Sequence, residues 1–115
     1  MAKRRLATIL AIDVTGYSRM MQSDAAGLLA ALNTIFHSIV KPNVADHDGR
    51  IVKLLGDGAL IEFQSAYQAL TCAAAIQKEL CRPKPLYKYG EPISLRMGCM
   101  RAMSWLRDKT SLEMA

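Results

Sequence analysis

Two aspartates stand where predicted strands meet turns, and their carboxylates are suited to binding a metal ion together. Asp13 ends the apolar run of residues 5–13, and Asp57 lies between two glycines in the turn that joins residues 50–55 to residues 59–63. If this hairpin pairs beside the first strand, the two side chains meet at one end of a sheet. Mg²⁺ prefers such oxygen ligands together with water and substrate phosphates, although aspartates in turns are also common turn formers.

The sequence predicts three helices beside these strands, the second of which, over residues 24–41, shows apolar residues at helical spacing. A short helix over residues 17–22 precedes a longer one, whose first N–H groups can be capped by Ser23 or Asp24. Pro42 should kink or end this second helix, because proline has no N–H and its ring clashes with the preceding turn. An alanine-rich third helix covers residues 65–81, and its first residue, a serine, is a suitable cap.

The order of these elements predicts an α+β fold. A further strand over residues 93–98 follows a loop, residues 82–92, that contains three prolines. The resulting order, β-α-α-β-β-α-β, favours a mixed α/β sandwich of the ferredoxin-like type, with helices on one face of the sheet. We expect residues 1–98 to form this domain, because residues 99–115 lose the strand pattern without gaining a helical one.

Two stretches around the aspartates carry a more specific signal. The segment ILAIDVTGYS, residues 9–18, and the segment GRIVKLLGDGALIEF, residues 49–63, resemble the two metal-binding motifs of the class III adenylate/guanylate cyclase catalytic domain. The matching residues are Asp13, Val14, Thr15, Gly16, Tyr17 and Ser18 in the first motif and Lys53, Gly56 and Asp57 in the second. The resemblance extends from about residue 5 to residue 98, so the predicted sandwich would be a cyclase core that is truncated at its C-terminal end.

The resemblance implies a two-metal site that converts ATP to cyclic AMP and pyrophosphate. Asp13 and Asp57 would hold two Mg²⁺ or Mn²⁺ ions, with the Val14 carbonyl as a further ligand. One ion would lower the pKa of the ribose hydroxyl, and the other would neutralise the triphosphate and the leaving group. The phosphate oxygens would be cradled by the backbone of Val14, Thr15, Gly16 and Tyr17.

The resemblance also implies how the base is selected and how the site is assembled. Lys53 matches the position that hydrogen-bonds the purine, and a lysine there is similar to the adenine-selecting type. Family sites lie between two catalytic domains, which implies a homodimer or pairing with a full-length cyclase domain. Judged without the resemblance, Lys53 alternates with apolar neighbours like a solvent-facing strand residue, and Tyr17 can simply pack on the sheet.

The sequence departs from the family pattern after Gly98. Further along, the family carries an Asp or Thr that completes base recognition and an Asn-x-Ala-Ala-Arg type segment, whose Arg stabilises charge on the phosphorus. Residues 99–115 hold no such segment, and losing one such contact typically costs on the order of 10²–10³ in rate. We therefore expect little or no turnover from this chain alone. One choice among the codons permitted for residues 99–115 can give, in a frame shifted by one base, a continuation of the family pattern, so a frameshifted and truncated gene product is our hypothesis.

The composition of the chain indicates which partners and which cellular compartment to expect. Fifteen Lys+Arg against ten Asp+Glu give 115 residues a net charge of +5, which favours polyanions loosely. The basic residues are scattered and strands rich in aromatic residues are missing, so we expect no nucleic-acid partner. Cys72, Cys81 and Cys99 form no Cys-x-x-Cys motif, which is typical of a reducing compartment, and we expect a cytoplasmic protein. We also expect no membrane segment, because no apolar stretch approaches about 20 residues.

Two other functions are weighed against the cyclase. A non-catalytic dimerisation or regulatory module with the same fold is the alternative that we carry forward. A diguanylate cyclase is disfavoured, because the hairpin reads Leu-Gly-Asp-Gly and not Gly-Gly-Asp/Glu-Glu-Phe.

Overall fold

The computed structural model describes residues 4–82, 92–105 and 112–114 of the chain. Helices and strands alternate in an α+β arrangement, which confirms the predicted fold class. In chain order the elements are β1 (Arg4–Val14), α1 (Tyr17–Ile35), a π-helix (Phe36–Val40), α2 (Lys41–Asp46), β2 (Arg50–Leu55), β3 (Gly58–Phe63), α3 (Ala66–Leu80), β4 (Leu95–Trp105) and β5 (Leu112–Met114).

The described strands form one antiparallel sheet in the order β2-β3-β1-β4-β5. The first strand lies at the centre, and β3 and β4 pair along its two edges. This order places the β2–β3 hairpin next to β1, as the sequence requires for the aspartates to meet. The pairing of β5 with β4 adds a strand that the sequence pattern did not predict.

The helices pack on the sheet face to which alternate residues of β1 contribute. Leu10, Ile12 and Val14 join the hydrophobic core, which also includes Leu28 from α1 and Ile76 from α3. Side chains alternate between the two faces of a strand. Asp13, between two of these core residues, therefore lies on the face opposite the helices.

The first helix contains the break that the sequence predicts. Asp24 has non-helical backbone angles, φ −158° and ψ 82°, and separates a short helical piece from a longer one. The Gly27 N–H donates a hydrogen bond to Asp24 Oδ1 at 3.0 Å, which is the capping contact expected of one of the two candidate residues. Ser65 caps α3 in the same way, since its Oγ accepts a hydrogen bond from the Gln68 N–H at 3.2 Å.

Pro42 does not end the predicted helix over residues 24–41. The chain stays helical to Asp46, but five residues before Lys41 form a π-helix, in which the Lys41 N–H donates to the Phe36 carbonyl. A new helix begins at Lys41 with Pro42 in its first turn. Proline is tolerated there because the first N–H groups of a helix have no intrahelical partner.

The last long strand corrects the expectation for the C-terminal residues. The sequence predicts a strand over residues 93–98 and loss of strand structure beyond it, whereas β4 continues to Trp105. The 11 residues of β4 pair with the full length of β1, so backbone hydrogen bonding to a long central strand sustains a segment whose side chains show no alternation. Most of the predicted loop, residues 83–91, lies outside the described residues, as do residues 106–111.

One helical run, Tyr17–Asp46, is long and apolar enough by composition to cross a membrane, with a mean hydropathy of 1.2 in its 18-residue window. It exceeds the length expected from the sequence because the π-helix joins α1 to α2. Its Leu28, Ile35 and Ile39 lie in the hydrophobic core. Packing on the sheet accounts for their apolar character, so the composition alone is weak support for a membrane span.

Candidate functional site

The backbone around Asp13 and Asp57 is directly hydrogen-bonded. The Val14 N–H donates to the Asp57 carbonyl oxygen at 2.9 Å, and Asp13 lies opposite Gly58 in the β1–β3 register. Asp13 and Asp57 are both partly exposed. The structure therefore brings together, at one end of the sheet, the two residues that the sequence singles out.

Gly58 makes this close pairing possible. A Cβ atom at position 58 would clash with the Ile12 carbonyl oxygen, and it would come within 3.0 Å of the Asp13 Cα. On the other side of Asp57, a Cβ at Gly56 would meet only the Tyr17 hydroxyl, at 4.0 Å. The two glycines of the turn thus differ: one permits strand pairing, and the other faces open space.

Asp13 is held by an arginine that the sequence analysis did not select. Arg96 lies opposite Asp13 in the β1–β4 register. Its Nε donates to Oδ1 at 3.0 Å and its Nη2 donates to Oδ2 at 2.8 Å, so the pair is bidentate. Both side chains reach solvent, with exposed fractions of 68% for Arg96 and 38% for Asp13.

Arg96 could be found from sequence only through strand pairing. It alternates with Leu95 and Met97 in an apolar segment, which by itself predicts a solvent-facing residue. Aligning this segment antiparallel to β1, with Leu95 opposite Val14, puts a cation directly across from Asp13. Cross-strand opposite charges of this kind are the signal that was available.

The electrostatics of the site extend to both aspartates. The hydrogen bond and the charge of Asp13, followed by the more distant charge of Asp57, raise the pKa of Arg96. One guanidinium therefore responds to both carboxylates, which places the two acids within electrostatic reach of the same point. The negative charge of the two aspartates therefore favours a cation at this end of the sheet. Their carboxylate oxygens are ligands that fit Mg²⁺ or Mn²⁺.

The side chains of the described residues would supply only some of the ligands of such a metal ion. Among them, no group of three or more His, Cys, Asp or Glu side chains is positioned to hold a metal. A divalent ion at Asp13 and Asp57 would need further oxygens from a backbone carbonyl, water or a bound nucleotide. Mg²⁺ commonly keeps several waters and binds through one or two carboxylates plus substrate phosphates, so a pair of acids is sufficient.

The residues predicted to cradle phosphate oxygens lie between β1 and α1. The Thr15 N–H donates to the Ser94 carbonyl at 2.9 Å, and Gly16 adopts φ 72°, a left-handed conformation that glycine accommodates without strain. Tyr17 begins α1 and packs against the hydrophobic core, as its alternative interpretation predicted. The cradle residues thus lead from Asp13 into the N-terminal end of a helix, which favours negative charge.

Lys53 is not beside the two aspartates. It is exposed on β2, opposite Leu60 of β3, just after a register shift in that pairing. Lys53 lies two strands away from Asp13 and is offset from it by two residues along the strands. With about 4.8 Å between strands and about 3.4 Å per residue, the Cα atoms of Lys53 and Asp13 are on the order of 12 Å apart. Within one chain, Lys53 therefore lies on the edge strand β2, apart from Asp13 on the central strand β1.

A cavity of about 410 Å³ adjoins the hairpin turn on its other side. It lies between the β2–β3 hairpin and the helical residues from the second half of α1 to the start of α2. Its lining is mainly apolar and includes Leu32, Phe36, Leu54 and Asp57. Asp57 therefore lines an apolar cavity, and its backbone is hydrogen-bonded to the residue that follows Asp13.

Comparisons with known proteins give cyclase relatives at both the sequence and the fold level. The chain is 41% identical over 96 residues to the protein named "Putative adenylate cyclase 3" of Rhizobium meliloti (strain 1021). It is 34% identical to the adenylate/guanylate cyclase/hydrolase of Silicibacter pomeroyi, whose crystal structure superposes with a TM-score of 0.81 over 97% of this chain. No protein-family model matches the sequence.

More distant solved structures share the fold. The guanylyl cyclase domain of the RhoGC fusion protein from Blastocladiella emersonii was solved as a monomer, with 18% identity, 95% of this chain and 72% of that chain covered, and a TM-score of 0.75. It was also solved as a non-canonical dimer, with 17% identity, 91% of this chain and 63% of that chain covered, and a TM-score of 0.72.

The length of the match differs among these relatives. The aligned region covers 84% of this chain but only 16% of the Rhizobium meliloti protein, and 64% of the Silicibacter pomeroyi chain. This chain therefore spans less than two thirds of the length of each of these two relatives.

Proposed function

Because the chain belongs to the class III adenylate/guanylate cyclase catalytic-domain family, we propose that it is a nucleotidyl cyclase domain whose Asp13–Asp57 edge binds a divalent metal ion with ATP. The hydrogen bond from the Val14 N–H to the Asp57 carbonyl, at 2.9 Å, carries this proposal. It fixes the two aspartates at one rim of the sheet. The family reaction forms cyclic AMP and pyrophosphate from ATP.

The residues of this chain have distinct roles in the proposed reaction. Bound Mg²⁺ or Mn²⁺ would activate the ribose hydroxyl and neutralise charge on the phosphates. Asp13 and Asp57 would hold the ions, with the Val14 carbonyl as a third oxygen. The left-handed turn at Gly16 directs the chain into α1, so the first N–H groups of the helix and its dipole would orient the triphosphate.

A dimer would supply the base-recognition side of the site. Lys53 lies on the order of 12 Å from the Asp13 row by strand spacing, and it is exposed on edge strand β2. In a homodimer, or in a pair with a full-length cyclase domain, one chain would contribute the aspartates and the other its Lys53. The lysine would hydrogen-bond the purine and favour adenine.

The proposal separates binding from turnover. Residues 99–115 contain no Asn-x-Ala-Ala-Arg type segment, and one missing charged transition-state contact costs on the order of 10²–10³ in rate. We therefore propose that this 115-residue chain binds a metal–nucleotide complex and produces little cyclic AMP on its own.

Calorimetric titration with Mn–ATP tests the proposal. The wild-type chain should release heat of binding, and the Asp13→Ala/Asp57→Ala variant should bind at least about tenfold more weakly, since both metal-binding carboxylates are gone. Asp46→Ala, which removes an exposed acid at the end of α2, should bind like wild type. No binding by the wild type, or equal binding by the double variant, would refute the metal site.

A non-catalytic pairing module is the second candidate, and exposed leucines on the hairpin favour it. Leu54 is 59% exposed and Leu55 is 42% exposed, and both lie on edge strand β2. An apolar edge of this kind is a common association surface. Analytical ultracentrifugation of the wild type and of Leu54→Lys separates the cases: a pairing module without nucleotide binding would dimerise, lose the dimer on substitution, and give no heat with Mn–ATP.

A further inference from the structure

The ion pair at Asp13 places a cation at the carboxylate where the proposed function requires a metal ion. Both carboxylate oxygens are engaged, one by Arg96 Nε at 3.0 Å and the other by Nη2 at 2.8 Å. Resting on the proposed function, we propose that Arg96 is a positioning residue that occupies Asp13 before ligand arrives and has to leave it when a divalent ion binds. Arg96 thereby lowers the affinity of the site for the metal alone.

The geometry makes the two cations compete for this carboxylate. A bidentate guanidinium lies in the carboxylate plane and uses a lone pair on each oxygen. A divalent ion bound to the same oxygens would lie within a few ångströms of the guanidinium carbon. Like charges at such a distance repel each other even when the solvent screens them, so the metal has to displace Arg96 or bind in a weaker arrangement.

The exposure of the pair makes the exchange feasible. The Arg96 side chain is 68% exposed, and the Asp13 side chain is 38% exposed. Exposed ion pairs contribute little to folding stability, because water screens them and both side chains lose conformational entropy. Arg96 can therefore swing away from Asp13 without unfolding the sheet, unlike a buried ion pair such as that of Arg50 with Glu62, whose side chain is 3% exposed.

The register of the sheet shows that Arg96 is placed at this carboxylate by the fold. Arg96 lies directly across from Asp13 in the pairing of β1 with β4, as the second residue of a strand whose pairing runs the full length of β1.

Binding of Mn²⁺ alone, followed through the electron paramagnetic resonance signal of the free ion, tests the inference without relying on turnover. Arg96→Gln should bind Mn²⁺ at least roughly fivefold more tightly than wild type, because the competing charge is removed. Arg101→Gln is the matched control: it removes one charge from the same strand, opposite Thr8 and not Asp13. Its affinity should stay within about twofold of wild type, since a distant surface charge is screened.

Two further variants make the outcomes separable. Arg96→Lys keeps the charge but loses the bidentate fork, so its Mn²⁺ affinity should fall between those of wild type and Arg96→Gln; it also serves if circular dichroism shows that Arg96→Gln does not fold. Asp13→Asn should abolish Mn²⁺ binding. If Asp13→Asn loses binding while Arg96→Gln and Arg96→Lys match the control, the inference on Arg96 fails and the metal site stands. If Asp13→Asn binds like wild type, the metal site and the proposed function fail together.

Discussion

The carboxylate of Asp13 accepts two hydrogen bonds from Arg96 on β4, while its backbone pairs with Gly58 on β3. One residue thereby connects the three central strands of the sheet. Asp13 and Arg96 are 83 positions apart in the chain. Motif matching identifies the aspartate, but only the register of two distant strands reveals its partner.

Cys72 and Cys81 differ in burial, as their spacing in the sequence predicts. Their spacing on a helix predicts roughly opposite faces, and the structure places Cys72 in the core with 0% exposure and leaves Cys81 exposed. Burial, and then the charge of Asp46, raise the pKa of the Cys72 thiol to about 11. The thiol of Cys72 is therefore neutral and shielded in the folded chain.

This shift predicts a loss of stability at alkaline pH. Between pH 9 and about 11 the unfolded thiol releases its proton while native Cys72 keeps it. The native state binds more protons, so the free energy of unfolding should fall by up to about 1.4 kcal/mol per pH unit in that window and be unaffected below it. Urea denaturation of wild type and Cys72→Ala across the window measures the difference.

Cys81→Ala is the matched control for this prediction, because it removes an exposed thiol at the end of the same helix. It should leave the pH dependence of wild type unchanged. If Cys72→Ala loses stability with pH as steeply as wild type does, the buried thiol is not the group responsible.

At the scale of elements, the hairpin β2–β3 positions the site through one glycine. The sequence marks the turn Gly56-Asp57-Gly58 and both of its strands, and the structure confirms them. What the pattern does not show is the asymmetry between the two glycines, because the clash at Gly58 is with the backbone of β1, a strand far away in sequence.

This asymmetry predicts different effects of two otherwise identical substitutions. Gly58→Ala should lower the free energy of unfolding by about 1–3 kcal/mol, because the added methyl group overlaps the Ile12 carbonyl oxygen and the strands have to separate. Gly56→Ala should change it by less than about 1 kcal/mol, because its methyl group faces open space. Thermal or urea denaturation of both variants measures this, and equal effects would contradict the described pairing.

The elements that sequence reasoning misjudged are those governed by tertiary pairing. The helix starting at Asp24 and the cap at Ser65 depend on local hydrogen bonds, so residue types were sufficient to find them. The continuation of β4 to Trp105 depends on the length of β1, and a π-helix precedes Pro42 where the sequence predicts a kink or an end of the helix. Neither leaves a periodic signal in the side chains.

In the molecule as a whole, the described residues form one sheet with helices on one face and a charged rim at one end. The rim carries the proposed metal site, and the neighbouring hairpin presents the exposed Leu54 and Leu55. Lys53 lies on the same hairpin, about 12 Å from the aspartate row by strand spacing. A second chain paired along this edge would bring a lysine from one copy toward the aspartates of the other, so association and nucleotide binding should be linked.

The central claim is that Asp13 and Asp57 act as one site, and a double-mutant cycle on Mn–ATP affinity tests it most directly. Asp13→Asn, Asp57→Asn and the double variant keep side-chain size while removing charge. If both carboxylates hold the same metal–nucleotide complex, each single substitution should weaken binding by about tenfold or more, and the double variant should lose much less than the sum of the two. Losses that simply add, or a single variant that binds like wild type, would show that the two aspartates do not share a ligand.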